Sequence, residues 1–438
     1  MSTVILGGGI IGTSIAYYLS ANQPEEELYI IEQSPELFTA ASGYAGGFLA
    51  RDWFVSSLAP LGALSFDLHT KIAAENEGKQ NWGFMKGTAF NLDTAPHQKS
   101  GAPQGDDWIN TGTSRAETAA GYDDPATFAW PEWLTKQRQG NLEGISQEGS
   151  VAQVDPLRLS HYLMKRATSR GVKLHYPAKA TEIVKDTDGT ITGVNIMCLN
   201  SKKELVIPCT NLVMSMGPWT PHVFKDLFPL STLSLDISPL AGYSLVVRSP
   251  RYTLEHERTA HGGQSHAVFT EHPSSCGFSP EIFLREGGEI YIAGLNPTTI
   301  KFPSCAEGSK RLFDPQEMQK LKDVAVRLMG SLAQNREEAT DEVNNVDDLE
   351  IIREGLCFRP VSGAGVPTIG KIHDLLLGGG TKASSSGGVF IAAGHGPWGI
   401  SLSLGTGKVI SEMIQKQDTS VDVTGLEVKN QDDTYTTA

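Results

Sequence analysis

The sequence of 438 residues contains few cysteines, and none of them is arranged for cross-linking or metal binding. The five cysteines are widely spaced, their number is odd, and no Cys-x-x-Cys pair occurs. Disulfide scaffolds and zinc sites need paired cysteines, so neither is expected to organise the fold, and no metal site is predicted. This cysteine pattern favours a reducing compartment, and we expect a cytoplasmic protein.

Long hydrophobic runs are also missing. No stretch reaches the ~18 consecutive apolar residues that a membrane-spanning helix requires. The amino-terminal residues lack the basic flank of a signal peptide, and the last residues, 436–438, match no prenylation or peroxisomal signal. We therefore expect no transmembrane segment and no secretory leader, while peripheral association with an internal membrane stays open.

Basic residues are outnumbered by acidic ones. The chain has 36 Lys and Arg against 50 Asp and Glu, which gives a net charge of −14. An acidic surface repels the phosphates of nucleic acids and of anionic lipids. Nucleic acid is therefore not expected as a partner, and a small molecule is the more compatible one. The oligomeric state stays open.

Glycine, by contrast, is abundant, and residues 7–12 match the pattern Gly-x-Gly-x-x-Gly. The apolar residues 3–6 before it are typical of a buried parallel strand, and residues 13–21 after it predict a helix. Residues 28–31 predict a second strand, which Glu32 follows. Strand, glycine turn, helix, strand and acid in this order form the fingerprint of a dinucleotide-binding unit.

Each residue of this fingerprint has a physical role. Gly7 permits the tight turn, Gly9 lets the backbone approach a pyrophosphate, and Gly12 lets the helix pack closely on the strand. Glu32 can accept hydrogen bonds from ribose hydroxyls, and its charge would repel a 2′-phosphate. NADP is therefore disfavoured, whereas the motif alone does not distinguish FAD from NAD.

A second segment of small residues, 40–47, begins eight residues after Glu32. Glycine and other small residues suit a backbone that lies along an extended ligand. Together, the two segments resemble the opening of the D-amino-acid oxidase, glycine oxidase and sarcosine oxidase superfamily of FAD-dependent oxidoreductases. Residues 45–53 and 64–69 are similar to a poorly characterised fungal branch of that superfamily. Further matches follow in the same order at residues 154–180, 211–219, 357–370 and 389–400.

The resemblance implies an α/β fold in which the cofactor domain is discontinuous. A Rossmann-like FAD-binding domain is expected at residues 1–85, 150–225 and 353–438, and a substrate domain at residues 86–149 and 226–352. Strand candidates at residues 240–247, 266–270 and 289–294 are linked by turns, which favours a mainly antiparallel sheet in the substrate domain.

The resemblance also implies which residues bind FAD. They lie at the glycine turn, after the second strand, in the small-residue segment, beside the adenine, and before and within the last helix. The predicted cofactor-binding residues are Gly7, Gly9, Ile10, Ile11, Gly12, Glu32, Gln33, Ala41, Ser42, Gly43, Gly46, Gly47, Leu49, Lys179, Ala180, Ser215, Met216, Gly217, Trp219, Arg359, Gly394, His395, Gly396, Pro397, Trp398, Gly399 and Ile400.

Two of these residues are predicted catalytic residues. Arg359 resembles the arginine with which glycine and D-amino-acid oxidases grip the substrate carboxylate, and a guanidinium binds a planar carboxylate in a bidentate manner. The alternative is an arginine in an ion pair behind the cofactor domain. His395, before the last helix, is able to hydrogen-bond to cofactor or substrate, or else is a structural histidine.

Cys357 aligns with the cysteine that sarcosine oxidases and fungal fructosyl-amine oxidases join covalently to the flavin. The alternative is a small buried residue beside a non-covalent FAD, and we expect this alternative.

One departure from the family pattern concerns charge. Sarcosine oxidases have a lysine at the position of Trp398, and glycine oxidases have an arginine at that of Pro397. The chain lacks this second cation, which makes a simple amino-acid substrate less certain. Candidates for a second charge are Arg51, Asp52 and Arg285, and aromatic candidates for the cavity wall are Trp53, Trp82, Tyr243 and Trp398.

Three functional hypotheses follow. The first is an FAD-dependent oxidoreductase that oxidises an amine or amino acid by hydride transfer to flavin N5, with oxygen as the acceptor and peroxide as the product. The second is an NAD-dependent dehydrogenase, which explains the glycine turn but not the carboxyl-terminal return to the cofactor domain. The third is a flavoprotein whose FAD is mainly structural and which acts as a binding or trafficking factor.

Overall fold

The computed structural model describes residues 1–22, 27–94, 115–119, 130–138, 140–270, 277–333, 336–339 and 344–428. The β-strands of these residues are β1 Ser2–Leu6, β2 Glu27–Ile31, β3 Phe48–Ala50, β4 Met85–Asp93, β5 Asn141–Gly144, β6 Val151–Gln153, β7 Lys173–His175, β8 Ala178–Lys185, β9 Ile191–Cys198, β10 Lys203–Pro208, β11 Asn211–Met214, β12 Ile237–Arg248, β13 Ser265–Thr270, β14 Glu281–Arg285, β15 Glu289–Ala293, β16 Glu350–Ser362, β17 Thr368–Ile372 and β18 Gly388–Ala393.

The α-helices of the same residues are α1 Ile10–Asn22, α2 Ala41–Tyr44, α3 Ala59–Glu75, α4 Gly78–Trp82, α5 Pro156–Ser169, α6 Thr220–Leu227, α7 Leu254–Thr259, α8 Pro315–Met329, α9 Asp374–Leu377 and α10 Gly399–Ile414. Short 3₁₀ turns occur at Arg115–Thr118, Gly217–Trp219, Ala306–Leu312, Gly396–Trp398 and Thr424–Leu426. Within the described ranges, no helix combines the length and the apolar character needed to cross a bilayer.

The first sheet has six strands in the order β17-β18-β11-β1-β2-β7. Strand β1 lies between β2 and β11 and pairs with both in parallel, and only the edge strand β17 runs antiparallel to its neighbour. All five residues of β1 are buried, as its apolar sequence predicts. Helices α1 and α10 pack closely against each other at Ser14 and Gly407. A Cβ atom on Gly407 would lie only 2.7 Å from Ser14. The predicted Rossmann-like unit is confirmed.

The second sheet follows the order β16-β12-β15-β14-β13-β4-β6-β3, with β5 paired to β4. Its neighbours are antiparallel except for β13 and β4, which are parallel. Helix α8 covers one face, where Met318, Leu321 and Leu328 join a buried apolar cluster with strand residues. The predicted antiparallel sheet is confirmed, and it is larger than the sequence suggests.

The sheet pairing changes two expectations from the sequence. Strands β3 and β16 fall in the ranges assigned to the cofactor domain, yet both pair within the second sheet. For β16 the reason is its long antiparallel pairing with β12, which carries Phe358 into the core of that sheet. In addition, helix α7 stands between β12 and β13, where a turn was predicted, because Thr253 caps its amino terminus.

Candidate active site

A cavity of about 1000 Å³ lies between the two large sheets. Its walls come from the carboxyl ends of β1, β2 and β11 on one side and from β14, β15 and β16 on the other. In open parallel sheets, ligands bind outside the carboxyl ends of the strands. The topology therefore places the glycine turn and Arg359 on the same cavity.

The glycine turn admits no side chains at its first and last positions. Gly7 has a φ of +99°, and a Cβ atom there would lie 2.5 Å from the Ser215 carbonyl oxygen. A Cβ atom on Gly12 would lie 2.1 Å from the carbonyl oxygen of Gly7. Gly7 is thus required by backbone conformation, whereas Gly12 is required by close packing.

The amino terminus of α1 opens onto the cavity. The Ile10 amide donates a hydrogen bond of 2.9 Å to the Ser42 hydroxyl, and Gly9, Ile10 and Ser42 all line the cavity. A Cβ atom on Gly9 would have one close neighbour, Ser42 Oγ at 3.2 Å. The positive end of a 13-residue helix suits an anionic group such as a pyrophosphate.

Glu32 lies beside this helix start and is fixed by the backbone. Its two carboxylate oxygens accept hydrogen bonds of 2.8 Å from the amides of Gly8 and Ser34. Each oxygen has a second lone pair, and the side chain lines the cavity. The residue therefore shapes the turn itself, in addition to the ribose contact that the sequence predicts.

Residues 303–310 cross the cavity next to the start of α1. The indole Nε1 of Trp219 donates a hydrogen bond of 2.9 Å to the Pro303 carbonyl oxygen, and Lys310 forms an ion pair of 3.2 Å with Glu36. Trp219 follows β11 and Glu36 follows β2, which are the two neighbours of β1. Residues 303–306 therefore cover the cavity next to the glycine turn.

Most of the predicted cofactor-binding residues line the cavity, including those of the glycine turn, of the small-residue segment and around Lys179. Five of the predicted residues do not line it, namely Gly12, Gly43, Leu49, Gly394 and Trp398. Gly12 and Gly43 abut backbone carbonyls, Leu49 is buried in an apolar cluster, and Gly394 forms a turn with a φ of +81°. Their places are structural, although all five adjoin residues that do line the cavity.

Arg359 lies near the carboxyl end of β16 and lines the cavity, with its guanidinium over Gly242 of β12, which has no side chain and pairs with Cys357. A Cβ atom on Gly242 would lie 2.9 to 3.0 Å from the Arg359 guanidinium. Arg359 Nη1 donates a hydrogen bond of 2.6 Å to Asn296 Oδ1. The guanidinium is thus held by a neutral amide, and its other N–H groups can bind an anion.

His395 lines the cavity but carries no charge at neutral pH. Its Nε2 lies 3.1 Å from the Thr406 hydroxyl within α10. Complete burial lowers the pKa of the imidazole to about 3. A neutral ring that is already bonded to Thr406 fits a positioning role better than that of a cation or a strong base.

Cys357 lies two residues before Arg359, is buried and lines the cavity. Burial raises the pKa of its thiol, and the nearby Arg359 and Arg353 oppose that rise. Because the thiolate is the reactive form, a raised pKa keeps the group in its unreactive thiol form at neutral pH.

We therefore expect the flavin to be held without a covalent bond. After acid precipitation of the holoprotein, the yellow colour should stay in the supernatant, and Cys357→Ser should give the same result. Colour retained in the wild-type pellet and lost in Cys357→Ser would contradict this prediction. Cys209, a buried cysteine outside the cavity, offers the matched control Cys209→Ser.

Arg115 also lines the cavity, and sequence analysis missed it. It begins a 3₁₀ turn between β4 and β5, and its residue is only 4% exposed. Its Nη2 donates a hydrogen bond of 2.8 Å to Glu281 Oε2 on β14. No motif surrounds Arg115, so only its folded position reveals it.

The candidates for a second charge that the sequence suggested lie elsewhere. Arg51 is on the surface and pairs with Asp67 at 3.0 Å. Arg285 is buried, but it donates to the carbonyl oxygens of Ala45 and Gly46 and does not line the cavity. Asp52 and the aromatic candidates Trp53, Trp82 and Tyr243 are also absent from the cavity wall, and the three aromatic side chains are buried in apolar clusters.

Among the described residues, no group of three or more His, Cys, Asp or Glu side chains is placed to hold a metal ion.

Comparison with known proteins gives a consistent result. The family model described as DAO, FAD dependent oxidoreductase, matches residues 2–413. A protein of Schizosaccharomyces pombe, C1F5.03c, which is provisionally named an oxidoreductase, is 26% identical over 94% of this chain and 93% of its own length. The similarly named TDA3 of Saccharomyces cerevisiae is 22% identical over 97% of this chain and 94% of its own length. The crystal structure of glycine oxidase from Geobacillus kaustophilus covers 98% of both chains with a TM-score of 0.66 at 20% identity, which shows a shared fold.

Proposed function

The chain belongs to the DAO family of FAD-dependent oxidoreductases, and on this premise we propose that it oxidises an amine that carries a carboxylate. The substrate class comprises amino acids and their N-substituted forms. When bound, FAD would supply the redox chemistry, namely hydride acceptance at N5 and return of the electrons to an acceptor, which would be oxygen in an oxidase.

The cavity fits FAD on features of this structure. A Cβ atom on Gly46 would meet Phe283 at 2.6 Å, and a Cβ atom on Gly47 would meet the Val154 carbonyl oxygen at 2.0 Å. Both positions therefore require glycine, and the bare backbone of this segment forms part of the cavity wall. The open start of α1 would hold the pyrophosphate, and Glu32 would hold the adenosine ribose. Residues from β8 and the start of α10 would contact the two ends of the cofactor.

The observation that carries the proposal is the guanidinium of Arg359. It lines the cavity, it donates a hydrogen bond to Asn296, and no acidic side chain of the described residues forms an ion pair with it. A cation held by a neutral partner retains its preference for an anion. The relative from Geobacillus kaustophilus is a glycine oxidase, whose named substrate has a carboxylate and an amine, and this supports the same substrate class.

The chain's own residues would mainly position the substrate. Arg359 would hold the carboxylate, and the aromatic rings of Tyr44, Phe48 and Tyr291 in the cavity wall would exclude water around the reacting carbon. The neutral His395 adds no charge of its own to the wall next to α10. Binding and orientation are therefore the protein's part of the chemistry.

An anaerobic screen tests the proposal. The purified holoprotein is mixed with amines, amino acids and N-methyl amino acids, and the flavin absorbance is followed. We expect bleaching with at least one carboxylate-bearing amine, and hydrogen peroxide after air is admitted. No bleaching with any member of the panel would contradict the proposal, and protein without a flavin spectrum would favour the NAD hypothesis.

The alternative of a mainly structural FAD in a binding or trafficking factor depended on the missing second cation. Arg115 provides a cation in the cavity wall, so that reason no longer applies. Holoprotein that stays oxidised with the whole panel would return attention to this alternative.

A further inference from the structure

Side chains of the second sheet hold the backbone of residues 44–47, which lines the cavity at the junction of α2 and β3. Arg285, the last residue of β14, donates through Nη2 to the carbonyl oxygens of Ala45 at 2.7 Å and Gly46 at 3.0 Å. Gln153, the last residue of β6, donates to the Gly46 carbonyl oxygen at 2.7 Å. Neither Arg285 nor Gln153 lines the cavity, so both carbonyl groups point away from it.

The amides of Gly46 and Gly47 point in the opposite direction, toward the cavity. Both peptide groups are trans, and a planar trans peptide directs its N–H opposite to its C=O. Among the described residues, no acceptor bonds to either amide. Buried N–H groups without an acceptor are rare in folded proteins, and Gly47 is buried. The two amides are therefore suited to an acceptor atom of a bound ligand.

Arg285 places a positive charge directly behind these two peptide groups. The residue is only 2% exposed, and no acidic side chain of the described residues forms an ion pair with it. Asp155 and Glu289 attract the guanidinium from a distance, and its Nε has no hydrogen-bond partner in the described part of the chain. Burial lowers the pKa of Arg285, but an arginine stays protonated. Its charge is thus only partly compensated, and it favours negative charge on a ligand at the amides.

The segment lies toward the Arg359 end of the cavity. The Tyr291 hydroxyl donates a hydrogen bond of 3.2 Å to the Tyr44 carbonyl oxygen, and the Tyr291 ring centre lies 4.8 Å from Cζ of Arg285. Burial raises the pKa of Tyr291, and the positive charge of the nearby Arg359 opposes that rise. Since the start of α1 would hold the pyrophosphate, the flavin end of FAD would extend toward this part of the cavity.

We propose that Arg285 is a positioning residue for the flavin. It turns the Gly46 and Gly47 amides toward the ring and adds a buried positive charge behind them, so that the anionic reduced flavin is bound more tightly than the neutral oxidised one. The same charge raises the reduction potential of the bound FAD. This inference rests on membership of the FAD-dependent family and not on the identity of the substrate.

The size of the effect follows from the separation of the charges. One peptide group separates the Arg285 guanidinium from an acceptor at either amide, which keeps the two charges within about 10 Å of each other. At an effective dielectric constant of about 20, one charge at that distance shifts an equilibrium at least about tenfold. For a two-electron couple, a tenfold preference for the reduced form corresponds to about 30 mV.

The oxidised holoprotein provides the test, and no amine is added. Its reduction potential is measured by anaerobic titration against a reference dye. Its affinity for sulfite, which adds to flavin N5 and leaves the ring negatively charged, is measured by the loss of visible absorbance. Arg285→Gln keeps one donor for the backbone but removes the charge, and it should lower the reduction potential by about 30 mV and weaken sulfite binding about tenfold. Arg285→Lys, which keeps the charge, should restore most of both values.

Arg170 offers a matched control outside the cavity. Its Nη1 donates to the Tyr17 carbonyl oxygen at 3.0 Å, and its Cζ lies 4.8 Å from the Tyr17 ring centre, the same distance as between Arg285 and the Tyr291 ring. Arg170 does not line the cavity. Arg170→Gln should therefore leave the reduction potential and the sulfite affinity unchanged.

Three results would overturn the inference. The first is a wild-type holoprotein that binds no sulfite, a measurement that requires no variant. The second is an unchanged reduction potential in Arg285→Gln, with or without loss of FAD, which would leave Arg285 with a structural role only. The third is an equal fall in potential in Arg285→Lys and Arg285→Gln, which would mean that geometry and not charge is responsible. Potentials as expected, in a flavoprotein that no amine bleaches, would instead contradict the proposed function alone.

Discussion

Replacement of Arg359 by alanine should lower kcat/KM for carboxylate-bearing amines by at least about tenfold, which corresponds to about 1.4 kcal/mol of transition-state binding. The physical reason is the loss of a charge-assisted hydrogen bond, which contributes roughly 1.5–3 kcal/mol when buried. Steady-state kinetics with the best amino acid of the screen, and with its decarboxylated amine, provide the measurement. The neutral amine should lose far less.

Two further variants make this result specific. Arg359→Lys should recover little activity, because lysine keeps the charge but lacks the planar fork that binds a carboxylate at two points. Arg51→Ala, at a surface arginine paired with Asp67, should behave like wild type. FAD content should be nearly the same in all three proteins, because the glycine turn, Ser42 and Glu32, which would anchor the cofactor, are unchanged.

Unchanged kcat/KM in Arg359→Ala would exclude this residue from the substrate site. Equal losses for the amino acid and for its decarboxylated amine would instead assign Arg359 a structural role near the flavin.

Replacement of Gly9 by valine should yield folded protein that has lost most of its FAD. Within the protein, a Cβ atom on Gly9 would have a single close neighbour, the flexible Ser42 hydroxyl at 3.2 Å, so the fold should tolerate the change. The added methyl groups would project into the space in front of α1, where a pyrophosphate would lie. Overpacking costs ~1–3 kcal/mol, which weakens FAD binding by about 5- to 150-fold.

The ratio of visible to ultraviolet absorbance after purification measures this loss, and circular dichroism checks the fold. Gly425→Ala, at a glycine that does not line the cavity and whose Cβ would meet only Ser57 at 3.3 Å, should remain fully yellow. A folded Gly9→Val protein with a full complement of FAD would refute the assignment of this turn as the pyrophosphate site.

The local sequence was sufficient to predict the Rossmann-like cofactor-binding unit. The apolar residues of β1, the glycine turn and Glu32 act on neighbours within about thirty residues, and short-range backbone requirements dictate their arrangement. The φ of +99° at Gly7 is a requirement of this kind, because only glycine adopts it without strain. The order of the family motifs along the chain likewise predicted that the last helix belongs to the cofactor-binding unit.

Only the tertiary structure decided what surrounds the substrate end of the cavity. Arg359 reaches the cavity because the register of β12 and β16 places Gly242 beside its guanidinium, and a strand register is not visible in either strand alone. Arg115 meets Glu281 across 166 positions of sequence and has no motif around it. Interactions between such distant residues depend on how two sheets pack together, so the second cation became visible only in the folded chain.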